Sequence, residues 1–168
     1  KLHYVDQRAR STSPLVITLK RKRIGIMGSY WAYPPVNEDT LETKFYGGSE
    51  KYLVEFAKEL ANYHDVDVYT KTEGAEFLYE GVNFLDYKMF NYDLPYDLVI
   101  GYRDFDMFMK RPNANITAFF SRDASVFIES EDHVLYKELV NYRKNIDYCF
   151  MSSQHHKKLV QKSIPFVN

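Results

Sequence analysis

Two adjacent glycines, Gly47 and Gly48, followed by Ser49, Glu50 and an apolar-periodic run, are the residues best suited to chemistry in this 168-residue chain. Glycine lets backbone approach a ligand closely, and the first turn of a helix offers N–H groups that lack intrahelical partners. A Gly-Gly turn that enters a helix therefore suits a phosphate or a sugar. The same residues also make an ordinary helix-entry turn, but their place after a first strand favours ligand contact. Two charged groups follow later apolar runs. In Tyr102-Arg103-Asp104, Arg103 can clamp a phosphate or carboxylate bidentately, or it can pair with Asp104 or Asp106. In Ser121-Arg122-Asp123, the Arg-Asp pair can hold hydroxyls and phosphates, or it can serve as a structural ion pair. Tyr30 and Trp31, in a stretch that also holds Tyr33, Pro34 and Pro35, can stack on a sugar or pack over a sheet edge.

Several other chemistries lack their signatures. Gly25-Ile26-Met27-Gly28 is not G-x-G-x-x-G, and the run ending at Thr70-Lys71 places no carboxylate for a ribose, so an NAD enzyme is not expected. Neither G-x-x-x-x-G-K-[ST] nor G-x-S-x-G occurs, which removes a Walker-type NTPase and the usual hydrolase nucleophile. His155 and His156 are neighbours on a helix, about 100° apart, and cannot chelate one metal as an i, i+4 pair would. Cys149 falls inside a strand-like run and reads as core rather than nucleophile.

The elements that would position these residues alternate in type. Arg23–Gly28, Asp65–Thr70, Val82–Leu85, Asp97–Gly101, Asn115–Phe120 and Ile146–Met151 read as strands. Ser29 to Tyr46 reads as one long loop. Lys51–Tyr63 reads as a helix, with Leu53, Phe56, Ala57 and Leu60 on one face. A short helix over Asp104–Lys110 and helices over Glu131–Arg143 and Ser153–Lys162 follow, the last capped by Ser152 or Ser153. Alternating strands and helices predict an α/β domain with a mostly parallel sheet covered on both faces. Ligands bind such sheets at the carboxyl ends of the strands, which gathers Gly28–Glu50, Tyr102–Asp104 and Ser121–Asp123 around one crevice.

Composition fits that picture. With 45% apolar and 17% aromatic residues, the chain is too apolar for disorder. A net charge of −1 gives no bulk attraction to nucleic acid or to anionic membrane. The basic run Lys20-Arg21-Lys22-Arg23 reads as a solvated linker that ends a tail over residues 1–22. One cysteine permits no internal disulfide and suits a reducing, cytoplasmic setting, and no apolar run approaches the ~20 residues that span a membrane. The chain opens with Lys and stops at Ile164-Pro165-Phe166-Val167-Asn168, which reads as a piece of something longer.

The ordered motifs resemble one family. Gly47-Gly48-Ser49-Glu50, then Phe56-Ala57-Lys58-Glu59-Leu60, then His64-Asp65-Val66-Asp67-Val68-Tyr69-Thr70, are similar to the pattern that opens the N-terminal domain of GT-B glycosyltransferases of the family 4 group. Tyr96-Asp97-Leu98-Val99-Ile100, Asp147–His155 and Ile164–Asn168 agree in order and spacing, so the resemblance covers 23–168. It implies a Rossmann-like three-layer sandwich, the N-terminal half of a GT-B fold. It also implies retaining, metal-independent transfer of sugar from a nucleotide-sugar donor to a carbohydrate or glycoconjugate acceptor, with no cofactor. Gly47, Gly48 and Ser49 would approach the donor phosphates and sugar. Tyr30, Trp31, Glu50, Arg103 and Ser121 would contact acceptor or substrate. The main nucleotide contacts would come from a C-terminal domain that this chain lacks. Relatives often place His-Asp where this chain has Arg122-Asp123, which makes that pair the candidate catalytic residues. An Arg there binds a hydroxyl or phosphate but is no base at neutral pH. Two other readings stand beside this one: a non-catalytic carbohydrate- or nucleotide-binding module, and a sugar-nucleotide epimerase.

Overall fold

A computed structural model describes residues 20–28, 35–43, 47–103, 106–121 and 141–163. Its elements are β1 (Arg23–Gly28), α1 (Glu38–Thr43), α2 (Gly48–Ala61), β2 (Asp65–Thr70), β3 (Phe77–Tyr79), β4 (Val82–Asp86), β5 (Tyr96–Tyr102), β6 (Ala114–Ser121), β7 (Tyr148–Met151) and α3 (Gln154–Ser163). The seven strands form one sheet in the order β3-β4-β2-β1-β5-β6-β7. Only β3 is antiparallel to its neighbour. The chain is an α/β protein.

Both faces of the sheet are apolar, as a parallel sheet requires. Alternation along β1 and β2 sends Ile24, Ile26, Val66 and Val68 to one face, where Leu53, Ala57 and Ala61 of α2 cover them. Met27, Tyr69 and Val99 go to the other face and meet Met107, Phe108 and Ile146. Cys149 packs half-buried against this second layer. Burial pushes its thiol up to about 11, which suits a core side chain.

Three local expectations change. β3 was not expected. It pairs with β4 through a two-residue turn in which Glu80 and Gly81 both take positive φ, +45° and +80°. Glu-Gly is a weak form of the Asn-Gly signal that announces such hairpins. The stretch read as one loop holds α1, whose start is closed reciprocally: Asn37 Oδ1 accepts from Thr40 N (2.8 Å) and Thr40 Oγ1 from Asn37 N (2.9 Å). Of the short helix expected over Asp104–Lys110, the described residues 106–110 hold a 3-10 turn at Asp106–Phe108, with Met107 and Phe108 plugged into the second layer.

The basic run is tied to the amino-terminal edge of the sheet rather than solvated throughout. Arg21 pairs with Asp65 (2.7 Å), Lys22 with Asp97 (3.0 Å) and Arg23 with Asp67 (2.9 Å). Asp67 also accepts from Tyr96 Oη (3.1 Å) and Asn83 Nδ2 (2.9 Å). Tyr96 spends its one proton on Asp67, so Tyr69 donates to Tyr96 across 2.7 Å. Gly25 makes room for that ring, since a Cβ there would lie 3.0 Å from it.

Further along the same edge, Arg111 grips Asp147 with two hydrogen bonds (3.0 and 2.7 Å), and Thr117 donates to the same carboxylate. The Arg111 guanidinium holds the Asp147 carboxyl below its ordinary value. Burial pushes Asp86 up, but the backbone N–H groups of Lys88, Gly74 and Thr72 outweigh it and hold Asp86 low too. A carboxylate depressed in the folded state stabilises above its unfolded pKa and loses that contribution as protonation reaches the folded value. Melting temperature should therefore fall as pH drops below about 4. In Asp147→Asn that decline should be shallower, which thermal melts between about pH 6 and about pH 3 would show.

Strand order reverses at β1: the chain builds outward through β2 and β4 on one side and through β5, β6 and β7 on the other. A crevice opens at such a reversal, at the carboxyl ends of β1 and β5. There Gly28 pairs with Tyr102, and a Cβ on Gly28 would lie 2.8 Å from the Tyr102 carbonyl oxygen. Backbone cannot yield as a side-chain tip can. Gly28→Ala should cost roughly 1–3 kcal/mol in urea denaturation, as overpacking does.

Candidate functional site

Four backbone segments converge at the carboxyl edge beside that reversal: the ends of β1, β5 and β6, and the first turn of α2. The turn comes first. Gly47 is the extended N-cap residue (φ −61°, ψ 165°), and its side-chain-free position supplies no cap. Gly48, Ser49 and Glu50 form the opening turn, and Gly47 O accepts from Lys51 N at 3.1 Å. A Cβ on Gly48 would meet nothing within 4 Å. Internal packing therefore does not require glycine at Gly48.

Tyr102 holds this turn in place. It is fully buried at the end of β5, and its hydroxyl donates to the Ser49 carbonyl oxygen at 3.0 Å. Its ring stacks with Tyr52 of α2 at 6.3 Å and meets Phe120 of β6 edge-on at 5.6 Å, while Tyr52 and Phe120 meet at 5.8 Å. Three elements are thus locked together under the turn. Sequence reasoning placed Tyr102 just past a strand ending at Gly101, beside Arg103, and gave it no role of its own; the strand runs on through Tyr102. Its signal was an aromatic with a hydroxyl directly after a strand-ending glycine, which becomes meaningful only once Ser49 is known to lie opposite.

Arg103 follows directly, and its N–H donates to the Phe120 carbonyl oxygen at 3.0 Å. It holds φ +61°, a left-handed conformation that costs a non-glycine residue roughly 1–2 kcal/mol. Ser121, buried at the end of β6, lies next to it in register, since Tyr102 pairs with Phe120. Gly47, Gly48, Ser49, Glu50, Arg103 and Ser121 therefore share one edge of the sheet. Tyr30, Trp31, Arg122 and Asp123 lie outside the described residues, as does Asp104. Arg103→Gly should relieve the strain and raise stability by about 1 kcal/mol while removing the guanidinium. Chemical denaturation run beside a ligand-binding assay separates the two effects.

Electrostatics at the turn are divided. The amino end of a 14-residue helix presents partial positive charge. The Glu50 carboxylate, however, folds back over Gly47, where an added Cβ would lie 2.7 Å from its Oε2. A diphosphate arriving here must displace Glu50, whereas a sugar hydroxyl can donate to it. Glu50→Gln should accordingly strengthen binding of inorganic pyrophosphate severalfold, by removing one adjacent negative charge. Isothermal titration at low salt measures that.

Among the described residues, no group of three or more His, Cys, Asp or Glu side chains is placed to hold a metal ion, and no helix is long and apolar enough to cross a membrane. Compared with protein-family models the chain matches none, and no curated protein matches it significantly.

Proposed function

We propose that this chain is the acceptor-side domain of a retaining glycosyltransferase, with a Rossmann-like core of the GT-B type, moving a sugar from a nucleotide-sugar to a carbohydrate or glycoconjugate acceptor. One observation carries the reading. With the β3 hairpin strand set aside, the parallel strands run 3-2-1-4-5-6 in order of appearance, the doubly wound arrangement that binds nucleotides at its reversal point. The glycine turn, Arg103 and Ser121 stand at that point.

In this reading the turn offers close backbone approach and N–H donors to the donor's sugar and phosphates, and Glu50 accepts from sugar hydroxyls. Arg103 supplies a cation beside Ser121, and Arg122-Asp123 would complete the site. A second domain closing over this edge would bring the main nucleotide contacts, with no metal or other cofactor required. A carbohydrate-binding module that performs no transfer is the second reading, favoured by the Arg at position 122, which cannot serve as a base.

Product analysis tests the choice. Full-length protein incubated with UDP-, GDP- and ADP-sugars should consume one of them and give a product of retained anomeric configuration, read by proton NMR. Inverted product contradicts the retaining assignment. Binding without consumption selects the module.

A further inference from the structure

A second hollow lies between α1, α2 and the β3–β4 turn. It encloses about 220 Å³, below the about 300–1,000 Å³ of sites for drug-sized ligands, and so has room for a single small ring. Leu41 and Val54 form an apolar floor with Tyr79 beside them, all half-buried. Charged groups surround the floor. Lys58 is already committed, with Nζ 2.7 Å from Glu80 and 3.2 Å from Glu55. Among the described residues, Lys51 and Glu42 have no such pairing.

Charge and strain narrow the ligand. Three carboxylates, on Glu42, Glu55 and Glu80, face two ammonium groups, on Lys51 and Lys58, so an anion is disfavoured, while the lysines and apolar floor disfavour a metal ion. Glu80 sits at φ +45° in a turn where Asn would sit without strain. Its carboxylate is thereby delivered to the wall of the hollow, and strain of this kind gathers at ligand-binding positions.

We propose that this hollow binds one ring of a neutral saccharide, with the ring's C–H face on Leu41, Val54 and Tyr79 and its hydroxyls held by Glu42, Lys51 and Glu80. A pyranose has an apolar face and a rim of groups that both donate and accept. Carboxylates accept hydrogen bonds from the hydroxyls, and an ammonium donates to their oxygens. Lys51 belongs to the opening turn of α2, where its N–H bonds to Gly47 O, so the hollow, which runs along α2 from Lys51 to Lys58, begins one helical turn from the glycine site. Describing the saccharide as the acceptor rests on the transferase reading; the binding itself does not.

The test titrates the full chain with methyl glucoside, methyl mannoside, methyl galactoside and N-acetylglucosamine, following backbone amides by NMR, with glucose 6-phosphate as the anionic control. At least one neutral sugar should saturably shift the amides of Glu42, Val54, Tyr79 and Glu80, and glucose 6-phosphate should bind at least about tenfold more weakly. Glu80→Asn should weaken binding about tenfold or more with no fall in melting temperature, because a charge-assisted bond is lost while the turn relaxes. Lys51→Met, which breaks no ion pair, should weaken it similarly. Absence of shifts with every neutral sugar, equal or tighter binding of glucose 6-phosphate, or wild-type binding by both variants would overturn the proposal. If no nucleotide-sugar is consumed but these shifts persist, the transferase reading fails and the saccharide site stands.

Discussion

Asp67→Ala should lower stability by about 2–4 kcal/mol. Asp67 is buried, its side chain only 6% exposed, and it accepts from Arg23, Tyr96 and Asn83. Removing it orphans a buried phenol that burial already keeps protonated. It also strips a guanidinium of its partner beside the Tyr96 ring, 4.8 Å from its centroid. The loss stops short of a fully buried pair because the Arg23 side chain is 42% exposed and can recover water. Asp67→Asn keeps an acceptor for Tyr96 and should cost about half as much. Urea denaturation of the three proteins gives the comparison, and equal midpoints would mean that the network contributes nothing to stability.

Gly48→Val carries the largest expected functional effect, in the opposite sense. Nothing lies within 4 Å of a Cβ at that position, and valine loses less backbone freedom than glycine in a helix, so stability should hold or rise by a few tenths of a kcal/mol. A branched side chain would nevertheless stand where the turn must approach its ligand. Displacing a reacting group by about 1 Å is enough to cost 10²-fold in rate. A variant that is as stable as the parent and about a hundredfold slower would assign the glycine to ligand approach rather than to folding.

The parts of the fold legible in the sequence were those set by local hydrophobic pattern. Arg23–Gly28 and Asp65–Thr70 appear with the expected bounds, and Leu53 and Ala57 bury as their spacing demands. The cap of α3 is Ser153, whose carbonyl accepts from Lys157 N. α1 escaped because six residues hold too little period to read, although Asn37 and Thr40 stood at capping distance. β3 escaped because three residues of an edge strand need their partner to be visible.

The candidate site divides in the same way. Arg103 and Ser121 were legible by rule, as polar residues at the ends of parallel strands. The left-handed backbone of Arg103, the Glu50 carboxylate over Gly47 and the Tyr102–Ser49 bond were not, because each depends on contacts between residues or backbone geometry that no local window contains. The hollow beside α1 was illegible for the same reason. Its lining comes from three separated stretches of chain.

Nucleotide-sugar turnover by the full-length protein, measured in parallel with Gly48→Val and Arg103→Ala at matched melting temperature, tests the site most directly. The parent should consume a nucleotide-sugar, and both variants should be slowed, Gly48→Val by about a hundredfold. Parental rates in both variants would contradict the placement of the site at this edge of the sheet.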